Sequence, residues 1–224
     1  MPLLFNALLT TGARIWVWHL TETEKSLKKF LSEEEFIHIS SKYHHPQRKL
    51  QKIATRLLLN HLGEGQLVNL AYNADGKPFP QEISGHISIS HSKNFVGLLY
   101  HPITSCGLDL EEVDERVLRV GQRFINEQEK NWIDKEFAMR DSGLIWSVKE
   151  CLFKNIEGGG ILFKEHLNVE APHLFSSDKG SGWAFYDGPM GKKIFKYHYE
   201  YLDGVLMVHT IAMEESIEQT TSNK

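Results

Sequence analysis

The 224-residue sequence has only two cysteines, no long apolar run and no excess of positive charge. Two cysteines cannot form the several bridges of a disulfide-rich secreted domain, so the cytoplasm is the expected compartment. No apolar stretch reaches the roughly 18 residues of a membrane-spanning helix, and no Lys or Arg precedes the apolar start as in a secretory leader. The net charge of −4 argues against a general nucleic-acid binder. We therefore expect no membrane and no nucleic-acid partner.

The composition is that of an ordinary globular protein. Apolar residues make up 41% and charged residues 24% of a length that suits one large domain or two small ones. The positive charge is uneven, because one segment without any acid contains five basic residues: Lys42, Arg48, Lys49, Lys52 and Arg56. Such a segment is usually a solvated basic face, but it also permits a local anion site.

The stretch from Ser142 to Gly160 predicts a helix with two distinct faces. Apolar residues recur with helical spacing on one face: Ile145, Val148 and Leu152. A second face presents an aromatic ring, a carboxylate and an ammonium group at i, i+4 and i+8: Trp146, Glu150 and Lys154. Gly158 to Gly160 supply the positive-φ positions that end a helix. Taken alone, the Glu–Lys pair also fits an ordinary surface helix.

The segment Ser105 to Glu112 predicts a strand that presents acids. In a strand, Asp109 and Glu111 lie on one face, roughly 6–7 Å apart along the chain. Together with Glu150 they offer hard oxygen ligands, which suit Mg²⁺ or Mn²⁺ and leave room for phosphate oxygens. The alternative is a strand that leaves the core and continues as a solvated run of acids.

Two segments resemble the signature motifs of the 4′-phosphopantetheinyl transferases. They are GLDLE at Gly107 to Glu111 and WSVKECLFK at Trp146 to Lys154. Three weaker matches follow the same order: GKPFP at 76–80, SISHS at 88–92 and EGGGI at 157–161. The length resembles the larger, surfactin-synthetase-activating type rather than the small trimeric type. The sequence departs from the family pattern at Cys151, where Ser or Ala is commoner, and at Gly159, where Lys is frequent.

The resemblance implies an α+β fold built from two similar α/β halves. The halves would be related by a pseudo-twofold, and each would be a small, mainly antiparallel sheet packed on helices. We expect an N-terminal half at residues 1–103 and a C-terminal half at 104–224 that carries the acids. The active site would lie between them in a monomer.

The implied activity is transfer of 4′-phosphopantetheine from coenzyme A to a serine of an apo acyl or peptidyl carrier protein, with release of adenosine 3′,5′-bisphosphate. Asp109, Glu111 and Glu150 would bind Mg²⁺ or Mn²⁺. Glu150 would accept the proton of the carrier serine, and Lys154 would neutralise charge on the leaving side. Two alternatives are a metal-dependent phosphohydrolase and a non-catalytic paralogue that binds coenzyme A or a carrier.

The resemblance also implies contacts with coenzyme A. They are Arg48, Lys49, Lys77, Ser90, His91 and Lys154. Lys77 precedes a proline, which restricts it to extended geometry and lowers the entropy that it loses on meeting a phosphate. Lys149, next to Glu150, would position the coenzyme or that carboxylate. The carrier is expected to dock near Val117 to Phe137.

The remaining pattern predicts the scaffold. Strands are expected at 13–20, 67–72, 86–90, 95–100, 167–170, 183–186, 194–201 and 205–212, with a hairpin turn at Asp203–Gly204. Helices are expected after caps at Thr21 and Ser32, from Pro46 to Gly63, and over 117–124 and 127–137, the last capped by Asn126. The polar tail from Glu214 should extend the final strand briefly and then fray.

Overall fold

The computed structural model describes residues 3–64, 66–173 and 177–212. Its strands are β1 (Leu3–Leu8), β2 (Arg14–His19), β3 (Leu70–Tyr72), β4 (Pro78–Pro80), β5 (His86–Ser92), β6 (Phe95–His101), β7 (Cys106–Glu111), β8 (Leu167–Val169), β9 (Lys179–Gly188), β10 (Gly191–Leu202) and β11 (Val205–Ala212). Its helices are α1 (Glu24–Lys28), α2 (Glu33–Lys42), α3 (Pro46–Leu62), α4 (Arg116–Val120), α5 (Glu127–Lys130), α6 (Ala138–Asn155) and α7 (Phe163–His166), with a 3-10 turn at Gly121–Arg123.

The strands form two larger sheets and a small one. The first sheet has the order β1-β2-β6-β5, the second has the order β7-β11-β10-β9-β8, and β3 pairs with β4. Every strand pair in the described part of the chain is antiparallel. The chain passes from the first to the second sheet between His101 and Cys106. The predicted α+β class with antiparallel sheets is confirmed.

Strand β2 is buried on both faces, which explains its unbroken apolar sequence. Trp16 and Trp18 pack in the core that includes α3, whereas Ile15 and Val17 pack in a second core. That second core lies between the two larger sheets and includes side chains of β7 and β11: Leu108, Leu110, Val205 and Met207. Apolar burial therefore joins the sheets face to face.

The two long helices follow the predicted patterns. Helix α3 begins with Pro46 in its first turn and is capped by Gly63 at its C-terminus. Helix α6 buries the predicted stripe completely: Ile145, Val148 and Leu152 are 0% exposed. It packs on the second sheet, with most of its contacts to β7 and β11. The apolar spacing of both helices and the end signals of α3 are confirmed. Helix α6, however, ends at Asn155 with the extended Ile156 as its C-cap, so Gly158 to Gly160 do not end it as predicted.

Some local signals act at other positions than predicted. Thr23, not Thr21, caps α1 by accepting a hydrogen bond from Ser26 N. Ser32 and Glu35 form the predicted capping box at α2. Asn126 caps α5 as predicted, but α5 ends at Lys130 instead of continuing to 137. The reason is that side chains bind the following backbone: Asp141 Oδ2 accepts from the amide of Asp134 at 2.9 Å.

One strand is shorter than predicted because its partner strand is short, and the predicted hairpin turn is present. The strand predicted from residue 67 begins only at Leu70, because its partner β4 offers just three residues. The predicted hairpin turn is confirmed, since Asp203 and Gly204 have φ of 42° and 86°. The tail predicted from Glu214 lies outside the described residues. In the described ranges, no helix combines the length and apolarity needed to cross a lipid bilayer.

Candidate active site

Gly107 brings the two motif-bearing elements, β7 and α6, into close contact. A Cβ built on Gly107 would overlap the backbone carbonyl of Cys151 and would lie 2.9 Å from Asn155 Nδ2. Only a residue without a side chain permits this approach. As a result, the acidic strand β7 lies directly against the helix that carries Glu150 and Lys154.

The Asp109 carboxylate lies at the centre of the site and is only 6% exposed. Its Oδ1 accepts hydrogen bonds from Lys154 Nζ at 2.9 Å and from Ser90 Oγ at 3.1 Å. Its Oδ2 is buried and has no hydrogen-bond partner in the described part of the chain. Leaving a buried carboxylate oxygen without a partner is costly, so this oxygen is free to bind a cation from outside the chain.

Lys154 is held in place by three acceptors. Besides Asp109, its Nζ donates to Leu108 O at 2.7 Å and to Ser90 Oγ at 3.3 Å. Burial is the largest single influence and disfavours the charged amine, but Asp109 and neighbouring groups together raise the pKa of Lys154 above its ordinary value. The ammonium therefore stays charged, and its side chain is still 25% exposed toward the site.

The charge of the Asp109 carboxylate affects the pKa of both glutamates of the site, Glu111 and Glu150. Burial, and then repulsion by Asp109, raises the pKa of Glu111 to about 7. The same two causes raise the pKa of Glu150, while the Lys154 ammonium opposes them. Glu111 lies in a cavity of about 230 Å³ that Trp146 and Arg116 also line. Asp109 thus repels both glutamates, which favours the binding of positive charge at this site.

The structure does not hold these acids as a preformed metal centre. In the described ranges, no three His, Cys, Asp or Glu side chains are grouped so that they could hold a metal ion. The donor chemistry nevertheless fits a hard divalent cation, because all three groups are carboxylates and Asp109 Oδ2 is unpaired. Asp109, Glu111 and Glu150 are thus the residues that would hold such an ion.

Ser90 and His91 point to opposite sides of β5, as successive residues of a strand do. Ser90 faces β7, whereas His91 faces α3, where its Nε2 lies 2.5 Å from Arg48 Nη1. Burial, followed by the charge of Arg48, lowers the pKa of His91 to about 4. His91 is therefore neutral near pH 7, and its Nε2 accepts a hydrogen bond from the Arg48 guanidinium.

Of the other predicted coenzyme contacts, Lys77 lies near Lys154, whereas Lys49 lies apart from the site. Lys77 and Lys154 line the same cavity of about 210 Å³, and Lys77 Nζ donates to Ile156 O at its edge. Asn73 Oδ1 accepts from the Lys77 amide at 2.9 Å, which fixes the turn before β4. Lys49 lines neither this cavity nor the one that contains Glu111. Its Nζ is instead paired with the Glu24 carboxylate at 3.2 Å.

The suggestion that Lys149 positions the coenzyme or Glu150 is wrong. Lys149 is 0% exposed, and its Nζ donates to Glu129 at 2.9 Å, Phe124 O at 2.6 Å and Phe163 O at 2.9 Å. These partners use all three of its N–H groups. An i, i+1 neighbour points about 100° away from Glu150 around a helix, so Lys149 faces the core and stabilises the segment after β7.

Sequence reasoning missed the part that serines play in joining the two sheets. Ser88 Oγ and Ser92 Oγ accept hydrogen bonds from the amides of Leu108 and Glu112 at 2.9 and 3.1 Å. The signal was present as an alternation of serine along β5, but a polar strand face ordinarily indicates solvent. Only the packing of β7 against this face revealed the contact.

The C-terminal half of the chain is similar in sequence to a known group of enzymes. Residues 105–211 match the family model of the 4′-phosphopantetheinyl transferase superfamily. The match begins just before β7 and reaches into β11, so it includes Asp109, Glu111, Glu150 and Lys154. The transferase match does not extend to Arg48, Lys77 or His91. A search of curated proteins found no match.

Proposed function

We propose that this chain transfers 4′-phosphopantetheine from coenzyme A to a serine of an apo acyl or peptidyl carrier protein. The observation that carries the proposal is the contact of Lys154 with Asp109, which joins the two signature motifs inside the segment that matches the superfamily. The unpaired Asp109 Oδ2 and the raised pKa values of Glu111 and Glu150 support a site built for a cation and a phosphate.

The chemistry needs one proton acceptor and several positive charges. The carrier serine oxygen forms a bond to the β-phosphorus of the coenzyme, the bond from that phosphorus to the bridging oxygen breaks, and adenosine 3′,5′-bisphosphate leaves with the bonding electrons. Glu150 takes the serine proton, and its raised pKa makes its carboxylate a stronger base. Lys154 neutralises charge on the phosphoryl oxygens. Mg²⁺ or Mn²⁺ held by Asp109, Glu111 and Glu150 would supply further positive charge.

Coenzyme A would lie across both sheets. Lys77 and Lys154, which line one cavity, would contact the pyrophosphate. Arg48 and His91 would contact a phosphate from the α3 side. A larger cavity of about 530 Å³ is lined by Tyr43, Tyr72 and Lys52, a combination that suits a planar base near a phosphate. The coenzyme roles first expected for Lys49 and Ser90 receive less support from their contacts.

We further propose the larger, surfactin-synthetase-activating type, as a monomer with halves at 1–103 and 104–224. In support, the two larger sheets each pack on one long helix, and the chain passes between them at residues 102–105. A pseudo-twofold between the halves is part of the same proposal. Both cysteines are free, which suits a cytoplasmic site of action.

The carrier would dock at α4, beside the cavity that holds Glu111. Leu118 and Val120 of this helix are 46% and 39% exposed, and Val120 lines that cavity. Arg119 and Arg123 are exposed in the same segment. An apolar patch next to positive charge suits an acidic helical carrier domain.

The test is incubation of the protein with coenzyme A, Mg²⁺ and an apo-carrier protein, followed by mass spectrometry of the carrier. Formation of the phosphopantetheine adduct is expected. Glu150→Gln should reduce transfer by at least about 100-fold, because a general base contributes about 10²–10⁴-fold. Thermal unfolding of the variant, expected near that of the wild type, shows that the fold is intact.

The same experiment distinguishes the alternatives. A phosphohydrolase would cleave coenzyme A without a carrier and leave the carrier unmodified. A non-catalytic paralogue would bind coenzyme A or the carrier without changing either. Near-normal transfer by Glu150→Gln would remove the proposed role of this carboxylate.

A further inference from the structure

Three alternating serines of β5 connect the two larger sheets. β5 is an edge strand of the first sheet, and β7 is an edge strand of the second. The hydroxyl oxygens of β5 accept hydrogen bonds from amides of β7 and of the residue that follows it, each 20 residues further along the chain: Ser88 from Leu108, Ser90 from Leu110 and Ser92 from Glu112. A constant offset means that the two strands run in the same direction. The serine face of β5 thus supplies hydrogen-bond acceptors to amides of the unpaired edge of β7.

Ser90 differs from the other two serines because it also touches the site. Its Oγ accepts from Leu110 N at 3.1 Å and from Lys154 Nζ at 3.3 Å, and it donates to Asp109 Oδ1 at 3.1 Å. A hydroxyl has one donor and two acceptor positions, so these three contacts use its whole capacity. Ser90 is also only 5% exposed. No hydrogen-bonding capacity remains for a phosphate of coenzyme A.

We propose that Ser90 is a positioning residue, which holds Asp109 against Lys154 across the junction of the two sheets and does not bind coenzyme A. By donating to Oδ1, Ser90 and Lys154 engage one carboxylate oxygen and leave the buried Oδ2 available for a cation. Groups that orient a metal-binding carboxylate in this way typically change metal affinity when they are removed. The inference rests on the proposed transferase function.

Ser90→Ala, with Ser88→Ala as its matched control, tests this role. Each change removes one hydroxyl and leaves one β7 amide without its acceptor, but Ser88 touches neither Asp109 nor Lys154. Three quantities are measured on both variants and the wild type: binding of Mn²⁺ from the electron paramagnetic resonance signal of the free ion, the kcat and KM for coenzyme A, and the thermal unfolding midpoint.

Both variants should lower the unfolding midpoint by similar amounts. Ser90→Ala alone should weaken Mn²⁺ binding by about tenfold to a hundredfold. It should also lower kcat while leaving the KM for coenzyme A nearly unchanged. This split separates a positioning residue from a coenzyme contact.

Two results would overturn the positioning role while transfer by the wild type stands. One is a raised KM for coenzyme A in Ser90→Ala with unchanged kcat and Mn²⁺ affinity, which would make Ser90 a coenzyme contact. The other is identical behaviour of Ser90→Ala and Ser88→Ala, which would make Ser90 a simple link between sheets. A wild type that neither binds Mn²⁺ nor transfers phosphopantetheine would overturn the proposed function as well.

Discussion

Gly107 on β7 and Cys151 on α6 touch through their backbones. A Cβ on Gly107 would overlap the carbonyl oxygen of Cys151, and backbone atoms cannot turn aside as a flexible side chain can. This contact fixes how closely the strand with Asp109 approaches the helix with Lys154. The glycine of the first motif is therefore needed for packing, not for a turn.

Gly107→Ala should destabilise the fold by about 1–3 kcal/mol, since overpacking a close contact forces the backbone to shift. It should also reduce phosphopantetheine transfer by more than the loss of folded protein explains, because α6 moves away from Asp109. Gly159→Ala is the matched control, since a Cβ there meets nothing within 4 Å. Urea unfolding and transfer rates of the two variants check this. Equal behaviour of both would contradict it.

Lys149→Met should cost about 3–5 kcal/mol of unfolding free energy, because it leaves the buried Glu129 carboxylate without its ion pair. Adding Glu129→Gln should recover at least about 2 kcal/mol. The neutral amide no longer carries a buried charge and can still accept from the amide of Val169, which lies 2.9 Å from Glu129 Oε1. Denaturant unfolding of the single and double variants measures this coupling.

Lys130→Ala is the control for that pair. Its partner Glu127 lies 2.6 Å away, but the two side chains are 50% and 79% exposed. Exposed pairs contribute about 0–1 kcal/mol. A loss in Lys130→Ala as large as that in Lys149→Met would show that burial is not the cause.

Arg48→Ala should weaken coenzyme A binding by at least about tenfold, the loss of one charged hydrogen bond. It should also raise the pKa of His91 above its present value of about 4, because the Arg48 charge is the second cause of its lowering after burial. Calorimetry and histidine NMR titration measure the two effects. Lys49→Ala, whose ammonium is paired with Glu24, should change neither. Unchanged coenzyme binding in Arg48→Ala would contradict the assigned contact.

Stability should fall in acid because of His209. Its ring stacks on His198 at 5.2 Å, and burial, aided by that neighbour, lowers the pKa of His209 from 6.5 to about 3. Between these values the unfolded chain binds a proton that the folded chain does not. The unfolding free energy should therefore decrease by up to about 1.4 kcal/mol per pH unit as pH falls below about 6.

His209→Leu should reduce that slope, since leucine does not titrate and the buried Nδ1 has no hydrogen bond to lose. Urea unfolding at several pH values from 7 to 4 compares the variant with the wild type. His91 titrates in both proteins, so only the difference between the two curves reports on His209. Parallel curves would refute the assignment.

Sequence periodicity predicted the parts of this fold that depend on neighbours along the chain. The apolar stripe of α6, the capping box at Ser32 and the turn at Asp203–Gly204 all involve residues within about two helical turns. The bounds of α5 could not be predicted, because the side chain of Asp141 competes for the backbone amide of Asp134.

The candidate site was predicted from motif spacing only as a set of residues. Asp109 and Lys154 lie 45 residues apart, and nothing in either motif tells which oxygen of Asp109 the ammonium would bind. Lys149 and Lys154 lie in the same motif, and the sequence does not show that their side chains have different surroundings. In the structure, Lys149 is paired in the core, whereas Lys154 faces the site. Their orientation depends on where α6 meets β7.

By itself, the sequence determined the two long helices, most strands of the two larger sheets, the Asp203–Gly204 turn and the chemical types that the site contains, because these follow from local spacing and composition. Only the tertiary structure decided that the serines of β5 meet the amides of β7, that Lys149 is buried with Glu129, and that one oxygen of Asp109 has no partner. The physical reason is that residues far apart in the chain become hydrogen-bond partners only when the sheets and helices that carry them pack together.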